Sequence, residues 1–105
     1  NSVLGRTNPA NIKEMITLAM KGDFIGARQK LREMILKYGV AGSDIIKQIH
    51  IEISRSALPD QWKVKLADAI GEIDFRLVQG ADEEVQLSAL LARLTEAGYE
   101  LKRGG

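Results

Sequence analysis

Few residues of this chain could do chemistry, and their spacing argues against most of it. His50 is the single histidine, and there is no cysteine. A zinc site would therefore need an otherwise all-carboxylate ligand set, which zinc rarely takes. The missing thiols also exclude cysteine nucleophiles and disulfides, and they fit a reducing, cytoplasmic compartment. His50 sits at the edge of an isoleucine stripe, where a flanking or partly buried side chain is the economical explanation. Glu72, Asp74 and Arg76 invite an acid–base role. Glu72 and Arg76, however, are four apart with the acid first, the order favoured by a helical ion pair. Ser43 has no base in sight, and capping accounts for it. Glu14, Glu33 and Glu52 fall in separate segments without a shared signature. No phosphate-cradling loop of the form G-x-x-x-x-G-K-S/T or G-x-G-x-x-G is present. The sequence predicts no catalytic residue, no metal ligand and no cofactor held by this chain.

Binding to nucleic acid or membrane has little more support. Fifteen basic and 14 acidic residues leave a net charge of +1, too small for strong steering toward a polyanion. Lys30, Arg32 and Lys37 cluster on one segment and Lys63 and Lys65 open another. They are interleaved with acids, as on a solvated face, without an aromatic-basic platform. No apolar run approaches the roughly 20 residues that span a bilayer, and no signal peptide is evident. The chain begins at Asn1 rather than methionine, which suggests a fragment or a processed product.

The elements that must position any site are helices. One hundred and five residues make one domain, able to remove roughly 65% of its unfolded surface from water. Residues 1–7 are glycine-containing and aperiodic, and are expected to be a linker. Asn8-Pro9 is a helix start, and Ile12, Met15, Ile16 and Ala19 follow at helical spacing up to Gly22. Asp23 can cap a second helix whose face is Phe24, Ala27, Leu31, Met34, Ile35 and Tyr38, ended by Gly39. The short turn between them predicts an antiparallel hairpin. Ser43 is expected to cap a third helix, with Ile45, Ile46, Ile49 and Ile53 in its stripe. Four isoleucines also suit a strand, but their spacing is helical. Pro59 marks a loop. A fourth helix runs to Gly80, and Asp82, Glu83 and Glu84 open a fifth whose stripe is Leu87, Leu90, Leu91 and Leu94. Val85, Ala89 and Ala92 form a smaller stripe behind it. Gly98 is expected to end that helix, leaving residues 99–105 as a flexible tail. The predicted fold is all-α, a compact five-helix bundle over residues 8–98.

The fourth helix is unusual. Trp62, Leu66, Ile70, Ile73 and Leu77 lie on one side, while Val64, Ala67, Gly71, Phe75 and Val78 form a second apolar stripe opposite. A surface helix ordinarily has one apolar stripe and one wet face. The second stripe is covered within the bundle or offered to another chain. Glycine inside a helix costs up to about 1 kcal/mol against alanine, so Gly71 needs a packing or functional reason.

The run IGEIDFRLVQGADEEVQLSALLA over residues 70–92 resembles the C-terminal part of the small subunit of replication factor C in its archaeal form. GRTNP at 5–9, GDFIGARQKL at 22–31, GSDII at 42–46 and Leu58-Pro59 resemble that family's pattern in the same order. The resemblance implies a helical domain that follows an AAA+ ATPase module. The C-terminal domains of five subunits close into a collar, and the assembly loads a sliding clamp onto primer–template DNA. ATP and magnesium would then belong to the upstream module. Other clamp-loader subunits would be direct partners, the clamp and DNA would be met only through the parent complex, and no membrane would be involved. In a collar, Val64, Ala67, Gly71, Phe75 and Val78 would contribute to a surface facing a neighbour. The tail from Tyr99 to Gly105 is longer than this pattern needs. The alternatives are a free-standing helical adaptor that binds a partner helix in a groove and a small DNA-binding domain.

Overall fold

Four of the five helices begin at a side-chain acceptor, local or from another helix, whereas the fourth opens on Pro59 without one. The computed structural model describes residues 8–104; the linker expected over residues 1–7 lies outside them, as does Gly105. Asn8 Oδ1 accepts from the Ala10 N–H at 2.9 Å and Pro9 occupies the first turn, starting α1 (Pro9–Met20). Its buried face is Ile12, Met15 and Ala19. Gly22, at φ +102°, turns the chain, and Asp23 Oδ1 caps α2 (Phe24–Arg32) by accepting from the Gly26 N–H at 2.9 Å. The two helices pack as the expected hairpin, tied also by Lys30 to Glu14 at 3.2 Å.

The end of α2 departs from expectation. Over Glu33–Lys37 the helix widens into a π turn, in which the Tyr38 N–H donates to the Glu33 carbonyl at 3.1 Å, five residues back. One extra residue in a turn rotates everything after it. Ala27, Leu31 and Met34 stay buried, but Tyr38, expected on the core face, is exposed.

The start of α3 (Gly42–Arg55) is also corrected. Ala41, not Ser43, occupies the cap position, and it has no side-chain acceptor to offer. The Gly42 N–H instead donates to Glu83 Oε2 at 3.1 Å, so a side chain from the start of α5 caps α3. Ile45, Ile46, Ile49 and Ile53 are buried on one face, as helical spacing demands. The fourth helix, α4, runs Asp60–Val78. Gly80, at φ +94°, closes it. Asp82 Oδ1 then caps α5 (Glu83–Lys102) through the Val85 N–H at 2.9 Å.

The central helix is α5, which packs against α1, α2, α3 and α4. Its buried face is the predicted leucine stripe together with Ala97, while Val85, Ala89 and Ala92 of the smaller stripe are exposed. It does not stop at Gly98. It continues to Lys102, with Gly98 buried in its interior. A Cβ built at Gly98 would overlap the Met20 carbonyl, so the missing side chain lets α5 cross the end of α1. Residues 99–102, expected in the tail, therefore belong to the helix. Lys102 Nζ donates to the Lys21 carbonyl at 3.3 Å.

Candidate interaction surface

Only α3 and α5 make extensive contact with α4, and both approach from the same side. That side carries Leu66, Ala69, Ile70 and Ile73, all buried, with Trp62 and Leu77 half-buried. The opposite side carries the second stripe, and every member is exposed. Val64 is 68% exposed, Phe75 63% and Val78 75%. Among the described residues, none covers the second stripe. Gly71 lies in the middle of the stripe with nothing within 4 Å of where its Cβ would be. Among the described residues, no packing requires a glycine there.

The apolar surface does not stop at α4. A groove of about 460 Å³ runs between α3 and α4, lined by Ile46, Ile51, Ala67, Ile70 and Gly71. Lys47, His50 and Asp74 stand at its rim. A second depression of about 260 Å³ shares Ala67 and Ile70 with it and adds Val64 and Ile53. The stripe and the outer side of α3 are thus one continuous surface. The sequence reading missed the α3 contribution. The signal was present: Ile51 falls outside the stripe formed by Ile45, Ile46, Ile49 and Ile53, and it is accordingly exposed.

Several of the charged side chains around this surface have partners within the domain. Glu72 takes Arg76 at 3.1 Å and Arg93 at 3.9 Å, joining α4 to α5 as well as bridging one helical turn. Glu52 accepts from Gln48 Nε2 at 3.0 Å. Lys63 Nζ donates to the Ser54 carbonyl at 3.1 Å, and Lys65 lies over the Trp62 ring, 4.6 Å from its centroid. His50 and Ser43 are both exposed. Among the described residues no group of three or more His, Cys, Asp or Glu side chains could hold a metal ion. No helix there is long and apolar enough to cross a membrane. What the geometry offers is an apolar face of exposed side chains with an open notch at Gly71.

Comparison with known proteins gives a consistent result. The family pattern described as the replication factor C C-terminal domain matches residues 7–93. A replication factor C small subunit from Sulfurisphaera tokodaii is 50% identical over 104 residues, covering 97% of this chain and 32% of the relative. One from Staphylothermus marinus is 51% identical over 102 residues, covering 95% of this chain and 31% of the relative. A third, from Thermococcus kodakarensis, is 48% identical over 96 residues, which is 91% of this chain and 11% of that protein. The chain thus spans about a third or less of the length of these archaeal relatives.

Proposed function

The chain belongs to the replication factor C C-terminal domain family, and from that premise we propose that it is the collar domain of a clamp-loader small subunit. It holds AAA+ ATPase modules in a ring by contacting neighbouring subunits through the outer face of α4. The observation that carries this is the exposed stripe of Val64, Ala67, Gly71, Phe75 and Val78. Full burial of a valine or phenylalanine side chain contributes about 1.5–3 kcal/mol, so a neighbour covering this face would gain several kcal/mol. A side chain at Gly71 would stabilise the helix, and the domain itself leaves room for one. The cost of glycine there is explained by the approach of another chain.

This reading assigns no ATP or magnesium to the domain itself. The sequence has no phosphate-cradling loop, and the described residues offer no ligand cluster. In this function the nucleotide, the sliding clamp and primer–template DNA are met by other parts of a cytoplasmic parent complex, while this domain supplies assembly. The test is Phe75→Glu in the full-length subunit, with mass measured by light scattering in the presence of its sister subunits. Loss of ring assembly at unchanged helicity and melting temperature is expected. Assembly equal to that of the unaltered subunit would refute the collar assignment of this face.

A further inference from the structure

A groove of about 360 Å³ opens between α1 and the end of α3. It shares no lining residue with the groove between α3 and α4. Its apolar wall is Ile16, Met20, Ile53 and Leu58. Ile53 is buried, and the other three are half-buried against the core. Lys13 and Arg55 stand at the rim, both exposed. Among the described residues neither cation forms an ion pair. Glu52 also lines the groove, but its carboxylate accepts from Gln48 Nε2 one turn back along α3.

Other depressions that carry cations are answered from within the domain. Over α2, Lys30 lies on Glu14, Arg32 on Glu84, and Lys37 over the Tyr38 ring. Beside Trp62, Lys65 covers the indole ring, Arg93 faces Glu72 and Arg103 faces Glu100. The groove between α1 and α3 instead joins an apolar wall to two cations that no carboxylate answers.

We propose that this groove binds a short acidic peptide segment of another protein. An apolar side chain of that segment sits against Ile16, Met20, Ile53 and Leu58, and its flanking carboxylates meet Lys13 and Arg55. Charge complementarity selects this occupant. A carboxylate on either side of the apolar anchor gives each cation the partner it lacks, and the Arg55 guanidinium can donate two parallel N–H bonds to one of them. A basic segment would meet like charge. A nucleic-acid strand fits less well, because no aromatic side chain lines the groove to stack a base. The site is separate from the α4 stripe, so its test does not depend on the collar assignment.

That test uses the full-length subunit and three fluorescein-labelled peptides of alternating aspartate and leucine, serine and leucine, or aspartate and serine. Binding is followed by fluorescence anisotropy at low salt. The aspartate–leucine peptide should bind at least about tenfold more tightly than either of the others, since each of those lacks one half of the complement. Lys13→Glu combined with Arg55→Glu should lower its affinity at least about tenfold by opposing like charges. Both positions are exposed, so circular dichroism and melting temperature should be unchanged. Absence of binding, equal binding of either control peptide, or binding untouched by the charge reversal overturns the proposal. So does an oligothymidylate of equal charge that binds more tightly and is lost in the same variant, a result that assigns the groove to nucleic acid.

Discussion

Gly98 of α5 lies against the main chain of Met20 at the end of α1, so close that a Cβ on Gly98 would overlap the Met20 carbonyl. The obstacle is backbone rather than a flexible side-chain tip, so relief requires the two helices to move apart. Gly98→Ala gains up to about 1 kcal/mol of helix propensity, but overpacking of this kind typically costs about 1–3 kcal/mol or more. The net effect should be destabilising by about 1–2 kcal/mol. For a domain of this size that lowers the melting temperature by roughly 4–8 °C per kcal/mol. Thermal unfolding followed by circular dichroism measures it, and an unchanged or higher melting point would show that α1 and α5 can separate freely.

Gly71 makes the opposite prediction. Nothing lies within 4 Å of its Cβ position, and its backbone is helical. Gly71→Ala should therefore stabilise the isolated domain by about 0.5–1 kcal/mol. Gly71→Leu should also fold normally and, under the proposed collar role, lose association with the sister subunits, because its side chain would fill the open notch. A marked fall in melting temperature of either variant in a monomeric sample would place Gly71 in a packed environment and contradict its exposure.

These two glycines show what could be read from the chain and what could not. The caps at Asn8 and Asp23 and the leucine stripe of α5 depend on residues a few positions apart, so their spacing revealed them. Gly98 looked like a helix stop because a glycine after a leucine-rich stripe usually is one. Its actual reason lies 78 positions earlier, at Met20, where no local pattern reaches. Ser43 misled for the same cause, since Glu83 supplies the cap from 41 residues away. The candidate surface was half legible. The α4 stripe stood out by period, whereas the place of Ile51 beside it depends on how α3 is seated against α4.

The capping of α3 gives a paired test. Glu83 Oε2 accepts from the Gly42 N–H at 3.1 Å, while Ser43 makes no cap. Removing a side-chain cap typically costs about 1 kcal/mol, and here the carboxylate also faces the positive end of the helix dipole. Glu83→Ala should destabilise the domain by about 1 kcal/mol, whereas Ser43→Ala, at an exposed position, should stay within about 0.5 kcal/mol. Urea denaturation of both variants decides the matter, and a larger loss for Ser43→Ala would restore the cap suggested by sequence.

Glu84 offers a further test, because it holds two cations at once. Arg28 Nη2 lies 3.1 Å from Glu84 Oε2 and Arg32 Nη1 reaches the same oxygen, fastening α2 to α5. The pairs are partly exposed, Glu84 at 25% and the arginines at 43% and 45%, so each is worth only a fraction of a kcal/mol in water. Losing the carboxylate has a second consequence. Arg28 and Arg32 stand four apart on one helix, and without Glu84 they repel. Glu84→Gln should therefore cost about 1 kcal/mol at low ionic strength, and the loss should shrink toward zero near 1 M salt, where the Debye length is about 3 Å. Chemical denaturation in urea at both salt concentrations reads this directly. A salt-independent loss would mean that Glu84 acts by packing or neutral hydrogen bonding, since screening leaves those unchanged.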